Sequence, residues 1–168
     1  MAGTQSYEVP LVAEAQKHIG TVETCGDNCG PKIRRWMQSV GLPGTKGRAW
    51  CGGFVSAMMD AAGVETPELR SARTRDYRGL HIPTASFVRG ARQVPDGYLA
   101  LYKTSTYRGH IGIVSRDRAA GDRRLRTISG NTENPTSPSV DGVFEKTRSL
   151  SRGSYFRPIG FIPVTYER

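Results

Sequence analysis

Apolar residues recur at helical spacing in the first third of the chain and alternate with polar ones in its second half, so helices come first and a sheet follows. Leu11, Val12, Ala15 and Ile19 form one stripe of a helix that begins near Pro10 and stops at Gly20. A loop rich in Gly, Asp and Asn follows. Pro31 then suits the first turn of a second helix, with Ile33, Trp36, Met37 and Val40 at i, i+3, i+4 and i+7. A third helix starts at or beside Cys51, buries Phe54, Val55, Met58 and Met59, and ends at Gly63. Residues 64–93 show little period beyond a turn at 76–79 and a short helix at 85–91. Strands are predicted at 98–102, 110–115, 125–130, 140–146 and 155–164, with Pro158 and Pro163 confining the last to an edge or to its ends. The expectation is an α+β fold in one domain spanning 1–168, with N-terminal helices packed on an antiparallel meander of about five strands.

Composition narrows the function. The 168 residues are enough for one domain with a real core. No run of about 18 apolar residues occurs, so no stable membrane insertion is expected. Residues 1–10 lack a basic segment followed by an apolar one, so the chain is expected to be made in the cytoplasm without a cleaved signal peptide. The net charge of +9 points to an acidic partner. Its densest arginine cluster, Arg116 to Arg126, is interrupted by Asp117 and Asp122 and carries no interleaved aromatics. It reads as a solvated turn, so nucleic acid is not expected as a partner, and anionic cell-envelope polymers would draw the same charge.

Three cysteines leave at least one unpaired. Cys25 and Cys29 either close a small loop disulfide or remain free thiols. Their spacing suits zinc poorly and only His18 is near, so no metal and no cofactor is expected. Cys51 follows Trp50 at a helix start, where unpaired N–H groups and the helix dipole pull a thiol pKa from about 8.5 toward about 3.5–7.5. Gly52 and Gly53 are expected to leave the sulfur uncrowded. A buried structural cysteine is the competing reading.

A nucleophilic thiol needs a base, and the base needs a group to orient it. His18 reads as a helix-packing residue, and His81 lies in an irregular stretch. His110 opens a strand between Gly109 and Gly112, a rigid and open place for a base. Asn131 ends the next strand, from which its side-chain carbonyl could accept from one ring N–H. Each has a plainer reading, as a strand-end histidine and as a turn asparagine. Trp50 and Tyr107 flank the two blocks and are expected to line the cleft, with core packing as the alternative for Trp50.

Taken in order, these blocks resemble the CHAP domains, the cysteine- and histidine-dependent amidohydrolase/peptidases. Trp50-Cys51-Gly52-Gly53-Phe54-Val55 is similar to their cysteine block, and Gly109-His110-Ile111-Gly112-Ile113-Val114 to their histidine block. Ile128-Ser129-Gly130-Asn131 resembles the block that closes their active site, and the lead-in Ile19 to Glu23 with 28–37 is similar as well. The resemblance implies a papain-like fold and cleavage of peptidoglycan amide bonds, with Cys51 as nucleophile, His110 as base then acid, and Asn131 as the orienting residue. Two departures stand out. Ser129 replaces the acidic residue many members carry, leaving Glu133 as a substitute third member, and Pro95-Asp96-Gly97 inverts the usual Pro-Gly-Asp.

The expected protein is a monomeric phage-type lysin that meets the wall after release or export. Its alternatives are an interbacterial effector with an immunity protein as partner, and a non-catalytic wall-binding module. A nucleophile at Cys29 is the rival site assignment.

Overall fold

The computed structural model describes residues 9–42, 47–90, 92–105, 108–116, 123–151, 153–154 and 156–166. Three helices come first: α1 (Pro10–Gln16), α2 (Pro31–Gln38) and α3 (Cys51–Ala61). Proline opens both α1 and α2, where its missing N–H costs nothing. Two 3-10 turns, Pro67–Leu69 and Thr74–Tyr77, lead to β1 (Ile82–Pro83) and α4 (Thr84–Arg89). The remaining strands are β2 (Leu99–Lys103), β3 (Gly109–Arg116), β4 (Arg124–Asn134), β5 (Ser137–Ser149) and β6 (Pro158–Ile162).

The sheet is antiparallel throughout, in the order β1-β6-β2-β3-β4-β5. The expected meander is present as β2 to β5. Beyond it, β6 returns to pair with β2, and β1, too short to show a period, pairs with β6. Pro158 is the first residue of β6 and Pro163 follows its last, the ends to which proline is confined. The β4–β5 hairpin is longer than predicted. It runs to Asn134↔Ser137 through polar residues that carry no alternating pattern.

Alternation along the strands builds a core on each face. Ile111, Ile113 and Ile128 join Leu11, Phe54 and Met58 from the helices. Val114, Tyr102 and Leu125 join Phe87 of α4 with Leu150 and Phe161. Among the described residues no helix is long and apolar enough to cross a membrane.

The start of α3 lies against the cleft end of β3 and β4. Register pairing of β3 with β4 begins only at Ile113↔Ile128, and β4 is irregular against β5 between Ser129 and Thr132. At Gly130 a Cβ would stand 2.5 Å from the Trp50 ring and 2.8 Å from Phe54 Cβ, so glycine lets the helix start seat on the strand. Gly52 is equally constrained, since a Cβ there would meet the carbonyl oxygens of Ser71 and Ala72 at 2.6 Å. The cysteine-block glycines therefore serve close packing, not an open sulfur as expected. A Cβ at Gly53 would stand 2.7 Å from Met37 Sδ, and Gly109 and Gly112 likewise admit Thr74 and Ser129.

Gly52→Ala gains about 1 kcal/mol of helix propensity but forces two backbone carbonyls apart, which costs about 3 kcal/mol. A melting temperature lower by about 4–8 °C is expected from a thermal scan followed by circular dichroism.

Candidate active site

Cys51 is the first residue of α3, 2 % exposed, and the free cysteine of the chain, because Cys25 and Cys29 form a disulfide. That bond settles the alternatives left open for the pair and removes Cys29 as a rival nucleophile. The Cys51 sulfur faces the backbone N–H groups of Ile111, Gly52 and Cys51 itself, which favour its thiolate. Burial acts more strongly in the opposite direction and pushes the thiol above its usual range. The lowered thiol expected from a helix N-terminus is thus not what this environment produces. Desolvation outweighs the dipole.

His110 lies near the start of β3 and lines one cleft with Cys51. Its ring sits between Tyr102, at 5.7 Å between centroids, and Phe156, at 5.4 Å. Burial, with the Arg148 guanidinium as the second cause, pushes its pKa down from 6.5 to about 3. Near pH 7 the pair is therefore a neutral thiol and a neutral imidazole. Nε2 of the ring is buried with no hydrogen-bond partner.

Asn131 also lines this cleft, but its side chain is engaged elsewhere. Its Oδ1 accepts from the Trp50 backbone N–H at 3.0 Å, and its Nδ2 donates to Asp141 Oδ2 at 2.7 Å. The expected bond from the His110 ring to this carbonyl is not formed. The physical reason is local: Asn131 has φ +52°, in the bulged stretch of β4, and its amide is turned to the helix start. Glu133, the substitute, is exposed on the rim of the cleft without a hydrogen bond to His110. Ser129 is fully buried, its Oγ unpaired.

Trp50 is core, correcting its assignment to the cleft wall. It is fully buried, stacks on Trp36 at 5.7 Å, and donates from its indole nitrogen to Glu23 Oε1 at 3.0 Å. Tyr107 and the turn at 117–122 lie outside the described residues. The first helix ends at Gln16 and not at Gly20 as expected, so His18 packs edge-on against Trp36 from the turn that follows it, and His81 lies against Gly160 of β6.

Two arms of the cleft meet at Cys51. One, of about 450 Å³, holds His110, Phe156, Lys146, Arg148 and Glu133. The other, of about 700 Å³, is walled by Asp27, Asn28, Arg73, Arg75, Arg108 and Asp141. Cys51, Ala49, Thr104, Gly109 and Asn131 line both. Compared with protein-family models, curated proteins and solved structures, the chain matches none. Among the described residues no three His, Cys, Asp or Glu side chains are grouped to hold a metal.

Asp141, Arg148 and Phe156 were missed from the sequence. Asp141 and Arg148 sit in a strand of mixed charge, and Phe156 stands between proline and glycine signals, so only the tertiary fold brings them to the site. Glu23 carried a signal, as the last residue of the lead-in Ile19 to Glu23.

Two outcomes test this geometry. Between pH 6.5 and about 3 an unfolded chain binds a proton at position 110 that the folded chain does not, so His110 makes stability fall as pH falls through that window. His110→Gln removes a slope of up to about 1.4 kcal/mol per pH unit, read by urea titration at pH 7 and 4.5. Asn131→Ala is expected to cost about 1–3 kcal/mol of stability while leaving the imidazole titration, followed by NMR, where it was.

Proposed function

We propose that this chain is a cysteine-dependent amide hydrolase of papain-like fold that cleaves peptidoglycan. The observation that carries the reading is the shared cleft of Cys51, first residue of a helix, and His110, near the start of a strand. A thiol, an imidazole and backbone N–H groups around the sulfur are the parts that acyl transfer requires. The cysteine and histidine blocks, which resemble those of CHAP domains, supply the substrate class. The charge of +9 supports it, since it draws the protein toward anionic wall polymers.

In this mechanism Cys51 passes its proton to His110 as the sulfur attacks the amide carbon. The resting pair is neutral, so proton transfer accompanies attack instead of preceding it. The Cys51 N–H donates to the oxygen that becomes negative. The C–N bond breaks as the imidazolium returns its proton to the leaving amine. Water, deprotonated by the same ring, then attacks the thioester, and C–S cleavage restores the thiol. Asn131 acts on the nucleophile's helix and not on the ring, as a positioning residue.

The protein works as a monomer on the wall after release or export, as a lysin or as an effector held in check by an immunity protein. A bare wall-binding module has no use for a thiol and an imidazole in one cleft.

Cys51→Ala is expected to abolish the turbidity loss of purified cell walls, with circular dichroism unchanged, and His110→Ala to lower the rate at least about 100-fold. Wall lysis by Cys51→Ala at the wild-type rate would overturn the reading. Mass spectrometry of the released muropeptides identifies the bond.

A further inference from the structure

The general acid must reach the nitrogen of the bond it breaks, within about 3 Å or through one water. On the reading above, the arm of the cleft that holds His110 is therefore the arm that receives the leaving amine, and the arm beyond Asp27 and Arg73 receives the acyl portion. The leaving-group arm has one distinctive cation. Arg148 on β5 lays its guanidinium over Phe156, 4.5 Å from the ring centroid, and Phe156 in turn packs on His110 at 5.4 Å. Its Nη2 makes a long bond of 3.4 Å to Thr132 Oγ1, and its Nε is buried without an acceptor. Among the described residues no carboxylate pairs with it. Lys146 and Glu133 line the same arm with opposite charges.

We infer that Arg148, held by Phe156, is a carboxylate-binding subsite that selects leaving amines carrying a free carboxylate. The bond cut is then one whose amine product is an amino acid or short peptide with its carboxylate exposed near the new amino group. A guanidinium fixed flat on an aromatic ring suits this task, because its planar donors match the two oxygens of a carboxylate and lose little freedom on binding. The spacing agrees, since the guanidinium and the imidazole lie against the same two rings, Phe156 and Tyr102. Binding also assists the chemistry. A carboxylate on Arg148 neutralises the positive charge that opposes protonation of His110, so the group that needs the proton helps the ring to take it up.

The inference rests on the proposed hydrolase, and the test separates the two. Alanyl-alanine and its C-terminal amide are titrated by NMR into the full chain carrying Cys51→Ala, with and without Arg148→Gln or Arg148→Lys. The acid is expected to bind at least about tenfold more tightly than the amide and to shift Phe156 and His110 resonances. Arg148→Gln abolishes that preference and Arg148→Lys keeps part of it. In the catalytically intact protein, Arg148→Gln is expected to raise KM for cell walls about tenfold. Equal binding of acid and amide, or a preference that survives Arg148→Gln, overturns the subsite even if walls are lysed. A preference that depends on Arg148 supports the subsite even if Cys51→Ala shows the hydrolase reading to be wrong. Should Arg148→Gln fail to fold, Arg148→Lys decides by the same comparison.

Discussion

One hydrogen bond ties the two halves of this protein together at the point where the chemistry would occur. The Trp50 N–H donates to Asn131 Oδ1 across 81 positions of sequence, joining the first turn of α3 to β4. Everything around it serves to make that bond. Asp141 on β5 holds the other end of the Asn131 amide, and the missing side chain of Gly130 lets Trp50 and Phe54 settle on the strand. Glu23, from the segment ahead of α2, anchors the Trp50 indole. The cysteine is thus positioned by β4, β5 and the N-terminal segment together. A backbone in the left-handed region, at φ +52°, is tolerated at Asn131 because an asparagine adopts it more readily than most residues and both ends of its amide are then used.

Burial decides the charge of the pair. Cys51 and His110 are enclosed by aromatic and aliphatic groups, and desolvation favours the neutral form of both. Helix-terminal N–H groups oppose this at the sulfur, whereas at the imidazole Arg148 adds to it. Position and protonation are therefore set by separate parts of the structure. The backbone places the two groups, and their desolvated surroundings hold them uncharged.

Much of this arrangement is legible in the chain, and the limits have physical causes. The start of α3 could be read because an aromatic, a cysteine and two glycines precede an apolar stripe, and close packing at Gly52 accounts for that composition. β3 could be read from Ile111, Ile113 and Val114, which feed both cores. The extension of β4 and β5 toward their turn could not, because residues paired at an exposed hairpin end need no alternation. The role of Asn131 was misplaced for a related reason. Strand order suggested His110 as its neighbour, but a bulge re-aims a side chain, and bulges leave little trace in sequence. Trp50 went the other way: an aromatic beside a candidate nucleophile reads as a cleft wall, while its indole N–H had a half-buried carboxylate waiting at Glu23.

The two borders of the sheet have a consequence of their own. One border is β1, two residues long and ending in a proline, which offers almost no donors to an incoming strand. The other is β5, thirteen residues long and otherwise an inviting template. Part of it is already taken. The segment around Val22 lies alongside it, with Gly20 N bonded to Val143 O, Val143 N to Thr21 O and Glu23 N to Asp141 O. Further along, Glu145, Lys146 and Arg148 place charge on the open stretch. A sheet bordered in this way resists the edge-to-edge stacking that seeds aggregates, a property that matters for any protein that accumulates to high concentration before it acts.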